Sequence, residues 1–416
     1  MENQILTKQD REKVISRAKF AKSFILVGAV ITILSVILWY TLDPAIFYDM
    51  ALYIGLVGVG ALIYGIKQLL SRKSKDKPVI ISQETIRTFI LNNAILLALL
   101  ILVLVIMAIQ PRFMQLGVLL DILTMSSTKV IVALGICFTL LIAGTDLSAG
   151  RMVGLAAVVS TSMLQNPDYT NKFFPDLPVL PIVLPIILAI IACGIFGVLN
   201  GFLVAKFEMH PFIATLATQV IVYGITSLYF DMEPNKSQPI GGIREDFVAL
   251  GQTKILQIGG FPGISILVPI AIGFILLIWF ILNKTVFGKN VYAIGGNREA
   301  AIVSGVNVFK TIMGIFMLAS VLYGVGGVLE AARTAGATNN YGNGYELDAI
   351  AACVVGGVSL NGGVGKVGGI VSGVLIFTVI QYGLQFIAVS PMWQQVIKGI
   401  IIAVAVAIDL TKYRKK

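Results

Sequence analysis

The sequence predicts an all-α polytopic membrane protein, a ten-span core preceded by an extra amino-terminal two-helix hairpin. Three observations carry that expectation. Of the 416 residues, 57% are hydrophobic and only 12% charged, about half the charge density of a soluble domain. Mean hydropathy is +0.91, and the apolar residues fall in runs near the roughly 20 that cross a hydrocarbon core. The 42 glycines suit helices that pack in lipid by close backbone approach.

The amino end is basic as far as Lys22, and the apolar run that follows, 23–40, is too long for a cleavable leader. It pairs with a second run, 46–70, and a basic linker, 71–77, so residues 1–80 read as a membrane hairpin and 81–416 as the core. Core spans are expected at 89–109, 116–143, 147–165, 182–205, 211–230, 264–282, 310–330, 347–360, 367–388 and 393–410. With the amino terminus inside, most of the 31 Lys and Arg fall in inner segments, as positive residues do in membrane proteins. Both termini are therefore expected in the cytoplasm. The net charge of +10 reports this topology and does not indicate a nucleic-acid partner.

The segment 356–363 is rich in glycine, and irregular backbone at membrane depth survives only inside protein or beside a water-filled cavity. Its spacing resembles 144–150, which leaves an internal repeat and chance likeness both open. Cys137, Cys193 and Cys353 lie singly in apolar runs, as small packing residues do. No P-loop is present: in Gly362-Gly363-Val364-Gly365-Lys366-Val367 a valine stands where Ser or Thr must hold the metal. One His, His210, and no clustered Cys or carboxylates leave no metal site or nucleophile triad. No cofactor is expected on this chain and no catalysis; nucleotide hydrolysis must come from another subunit.

The longest inner loop, 283–309, centres on a small helix. Asn297, Arg298, Glu299, Ala300, Ala301 and Gly305 compose a candidate docking element: Glu299 suits the positive end of the helix dipole, and Gly305 permits a turn or close approach. Ionisable groups within the membrane are functional candidates by default. Asp146 and Arg151 flank an inner turn, Glu346 and Asp348 an outer one, and Lys129 and Lys398 sit deeper, with Lys398 in need of a partner. Structural pairing or snorkelling is the favoured reading for these six, ahead of a pathway. Gln219, Tyr223, Asn361, Gln381 and Tyr382 are the polar candidates for a path or gate.

Several stretches bear a family resemblance. They are Gly144 to Arg151 with Val153 to Val159, Pro211-Phe212-Ile213 through Ile225, Phe287 to Asn290, Ala293 to Val308, Ala337 to Asn340, Tyr345 to Ser359, and Trp393-Gln394 with Ile397-Lys398-Gly399. On them the chain resembles the membrane permease subunits of sugar ATP-binding-cassette importers, of the ribose and galactoside class and nearest its galactoside members. The likeness runs from about residue 83 to the carboxyl end; the amino-terminal hairpin has no counterpart in it. The resemblance implies a multi-pass protein of the bacterial cytoplasmic membrane, a homodimeric pore of ten spans per subunit and a sugar substrate. It further implies two cytoplasmic ATPase subunits, which hold ATP and Mg, and an extracytoplasmic sugar-binding protein. The loop around Glu299 is then the helix that inserts into the ATPase. Broken helices and buried charges also fit an ion-coupled secondary transporter, and the sugar itself, galactoside, ribose or another monosaccharide, stays open.

Overall fold

The structure, a computed structural model, describes residues 14–15, 24–35, 59, 79–80, 94–258 and 261–413. Helix α1, Phe24–Ser35, lies within the first predicted span; the second run of the hairpin, 46–70, falls outside the described residues except for Val59. All ten expected core spans coincide with helices. They are α2 (Ala94–Ile109), α3 (Leu116–Leu141), α4 (Ala149–Met163), α5 (Val183–Lys206), α6 (Pro211–Phe230), α8 (Leu267–Lys284), α11 (Val308–Thr334), α12 (Tyr345–Val355), α13 (Val367–Phe386) and α14 (Pro391–Tyr413). Between them lie α7 (Glu245–Gln252), α9 (Val286–Gly296) and α10 (Arg298–Val303). Among the described residues, α3, α5, α6, α8, α11 and α13 are each long and apolar enough to cross a membrane.

The chain divides into two compact units, residues 1–119 with 383–389, and residues 120–382 with 390–416. In the first, strands Val14–Ile15 and Val79–Ile80 pair antiparallel, and Phe113 meets Phe386 edge-on at 5.4 Å.

The second unit is organised around α11. Helix α3 runs antiparallel to it: Thr128 bonds Glu330 at 2.6 Å, and a Cβ placed at Gly135 would stand 2.6 Å from the Tyr323 ring. Small residues set the spacing on the other side too, since a Cβ at Gly197 of α5 would lie 2.5 Å from Ser320 Oγ. The central pair is consequently mostly buried, 78% for α3 and 67% for α11, against 33%, 28% and 22% for α5, α6 and α8.

Two of the ten helices are short because the chain breaks before them. Residues 142–148 precede α4, which starts beside Asn200, about two turns before α5 ends at Lys206. Residues 335–344 precede α12. The sequence places these breaks at opposite faces, yet they meet: a Cβ at Gly150 would stand 2.4 Å from the Gly342 carbonyl and 2.0 Å from Glu346 Oε2. Half-helices explain it, since each break runs into the bundle from its own end. The glycine-rich segment 356–366 instead closes against the end of α3, where Gly363 N–H donates to the Leu141 carbonyl at 2.8 Å. Gly295, at the end of α9, presses on that same carbonyl, 1.7 Å from a hypothetical Cβ, so the glycine-rich segment packs where α3 and α9 end.

Candidate functional site

Four groups of polar side chains stand out in the second unit. In the first, Glu330, 2% exposed, accepts from Thr128 at 2.6 Å, from Arg333 at 2.9 and 2.7 Å and from Tyr345 at 3.0 Å. A carboxylate this deep persists only when its lone pairs are taken up. Close by, Lys129 donates to Gln381, and Lys398 stands 2.9 Å from an Asp348 oxygen. The partner expected for Lys398 is thus Asp348, on α12. A cavity of about 20 Å³ bounded by Lys129, Tyr345, Asp348 and Gln381 has room for about one water, far too little for a sugar ring. This group fastens α12 to α11, α3, α13 and α14.

The second group secures the break before α4. Asp146, fully buried, accepts from Ser148 N at 2.9 Å, Ser148 Oγ at 2.6 Å and Tyr323 at 3.1 Å. Asn200 donates to Ser148 Oγ at 3.1 Å and accepts from Thr218 at 2.6 Å. Thr215 accepts from Leu147 N and donates to the Thr145 carbonyl. An unpaired backbone deep in the bundle is costly; here Thr215 of α6 and Asp146 take up backbone groups of the break, while Asn200 of α5 and Tyr323 of α11 hold the Ser148 and Asp146 side chains.

In the third group, the Arg151 guanidinium lies 4.2 Å from the centre of the Tyr223 ring and donates to Asn340 at 3.4 Å and Asn343 at 3.0 Å. Arg151 was expected at an inner turn far from the 335–344 loop; the meeting of the two breaks brings it there.

The fourth is the 283–309 loop, which holds two helices where the sequence suggests one. Each start in this stretch is capped: Thr285 accepts from Gly288 N at 3.2 Å, Asn297 from Ala300 N at 2.9 Å and Asn307 from Lys310 N at 2.9 Å. These side chains satisfy donors that a helix start leaves open. Gly305 takes φ +83°, the left-handed turn foreseen for it. Ala301 is buried, whereas Ala300 is exposed and Val303 is 89% exposed. A packed contact within the chain therefore holds for Ala301 but not for Ala300. Arg298 pairs with Glu208 at 2.9 Å, at the rim of a recess of about 360 Å³ that includes His210 and Ile294. Tyr292 donates to the Gly365 carbonyl at 2.9 Å, and burial raises its phenol above the ordinary value.

Residues 118–406 match the family described as the branched-chain amino acid transport system / permease component. The chain belongs to this permease family. Among its relatives, the galactose/methyl galactoside import permease protein of Haemophilus influenzae is 52% identical over 326 residues, 78% of this chain and 96% of that one. The Escherichia coli protein of the same name is 48% identical, covering 81% and 99%. The ribose import permease protein of Bacillus subtilis is 36% identical, covering 76% and 92%. No solved structure matches.

The permease brings some predicted site residues together and scatters others. Tyr223 joins Arg151, and Gln381 joins Lys129 beside Asp348. Tyr382 donates to Asp121 at 3.2 Å, and Asn361 lies in the glycine-rich loop, its N–H on Ser359 Oγ at 3.2 Å. Gln219 is one turn before Tyr223 on α6. The hydroxyls of Ser126, Ser127, Ser160 and Thr161 bond carbonyls of their own helices, so they are spent on the backbone and not on a solute. Sequence reading missed Glu330, Asn200, Tyr323, Asn340 and Asn343. For Glu330 a signal existed, a carboxylate three residues before Arg333 at the end of an apolar run; for the others only the fold reveals the partners.

Proposed function

We propose that this permease is the membrane subunit of an ATP-driven, binding-protein-dependent sugar importer that carries galactose or methyl galactosides. The observation that carries this reading is the 52% identity, over 78% of this chain and 96% of the relative, with a galactose/methyl galactoside import permease. The fall to 36% against a ribose permease favours galactosides over ribose. In this reading the subunit works as a homodimer with ten spans per chain and both termini in the cytoplasm. It sits in the bacterial inner membrane among lipid, with two ATPase subunits on the inner face and a sugar-binding protein on the outer. ATP and Mg belong to the ATPase subunits. The preceding hairpin, residues 1–80, is an accessory anchor.

The geometry supports a route for force. The capped helix α10 presents Ile302 and Val303 outward, 48% and 89% exposed, for seating in the ATPase. Its turn at Gly305 leads within three residues to α11. A push on α10 thus reaches the central helix of the unit, whose Tyr323 holds the α4 break through Asp146 and whose Glu330 holds α12 through Tyr345. Rigid elements with satisfied polar groups transmit displacement where a solvated loop would absorb it.

Reconstitution with the cognate ATPase and galactose-binding protein in proteoliposomes tests the reading. Vanadate-sensitive galactoside uptake that requires the binding protein is expected. Uptake driven by an ion gradient without ATP would replace the importer by a secondary transporter.

A further inference from the structure

Helix α10 is too small to hold an ATPase subunit by itself. A stable protein interface takes roughly 20–30 residues from each side, and α10 has six. Beside it, the ends of α3, α5 and α9 and the starts of α10 and α11 enclose the recess of about 360 Å³, the size of pockets that hold a ligand, roughly 300–1,000 Å³. Its floor is apolar, made by Val204, Met209, Ile294 and Ile312, and its mouth carries Glu208 and Arg298, paired at 2.9 Å. Val204 lies two residues before the end of α5, and Lys206, Glu208 and His210 beside it are exposed. Charged groups around the opening suit a polar neighbour and not lipid tails. Glu208 holds φ +52°, a left-handed backbone that costs a residue with a Cβ, and strain of this kind gathers at binding sites. Arg298 Nε is shut off from solvent and has no hydrogen-bond partner among the described residues; an acceptor brought by a partner would remove that cost.

We infer that this recess is the second half of the ATPase docking surface: it takes one large apolar side chain of the ATPase subunit between Met209, Ile294 and Ile312, with an acceptor beside that side chain meeting Arg298 Nε. This rests on the importer reading and adds to it a hole on the permease that answers the exposed Ile302 and Val303. Arg298 opens α10 and Val303 closes it, about 7.5 Å further along the axis, so a protein seated on Val303 also covers the mouth. A side chain lodged there would bear on the turn between α5 and α6, through Met209, as well as on α11, through Ile312.

Thiol labelling tests the inference, because Cys137, Cys193 and Cys353 are buried and leave an introduced cysteine as the accessible one. Permease carrying Met209→Cys, or Val303→Cys as a reference, is placed in lipid nanodiscs and treated with a maleimide, with and without the ATPase subunit. The ATPase is expected to slow labelling at both positions, by about tenfold or more. Slowing at Val303→Cys alone would overturn the proposal. So would Met209→Cys that reacts in detergent but not in nanodiscs lacking ATPase, since lipid would then fill the recess. Met209→Trp, which occupies the space itself, should weaken ATPase association about tenfold, the scale of one lost anchor, with the unfolding temperature kept; unchanged association would overturn the proposal as well. Should that variant fail to fold, the labelling pair carries the test. A parent permease that binds no ATPase at all would remove the importer reading, and the docking surface with it.

Discussion

Helices α10 and α11 are neighbours in sequence and opposites in surroundings. The first has six residues, one of them buried, and is held by the Asn297 cap. The second has 27 residues, packs on α3, α4 and α5, and takes part in the Asp146 and Glu330 networks. Stability comes from the area and polar pairs that α11 buries, whereas α10 leaves its apolar side open. A segment that must engage a partner cannot also spend that surface on its own fold.

Substitutions should separate the two roles. The largest loss of stability is expected for Glu330→Leu, which strands Arg333 and the Thr128 and Tyr345 hydroxyls; about 3–5 kcal/mol is the scale for breaking such a pair. It should appear as a lower unfolding temperature in detergent and a poor yield of folded protein. Asp146→Ala removes the acceptor of Tyr323 and of two Ser148 donors, a loss of about 1–3 kcal/mol, while Asp146→Asn should recover part of it in the same measurement. Gly305→Val forces a β-branched residue to φ +83°, at about 1–2 kcal/mol, and should loosen ATPase attachment more than it lowers the unfolding temperature. For Val303→Ser the unfolding temperature should hardly move, within about 0.5 kcal/mol, yet pull-down of the ATPase subunit should weaken. A Val303→Ser protein that unfolds like Glu330→Leu would break the comparison, and one that binds ATPase normally would remove α10 from the interface.

Much of this arrangement is legible in the chain itself. The positions of the core helices follow from apolar runs and their Pro and Gly breaks, because each spanning helix must satisfy its own backbone and so declares itself locally. The helix between Asn297 and Gly305 is equally local: a cap, a short apolar turn and a glycine. The Lys398 pair is half legible, since a buried ammonium demands a counter-charge but does not say which.

Which residues meet across the bundle is another matter. Composition and spacing established a membrane protein with about ten core helices and an inner loop with a short helix, and the quoted motifs carried the likeness to sugar permeases. Tertiary structure alone decided that the chain breaks before α4 and α12 run inward and meet at Gly150 and Gly342, that Arg151 rests on Tyr223, and that Asp146 and Glu330 are structural anchors. The physical reason is that hydropathy depends on each residue by itself, whereas the worth of a buried charge or amide depends on partners far along the chain, 202 residues away for Thr128 and Glu330 and 252 for Lys129 and Gln381.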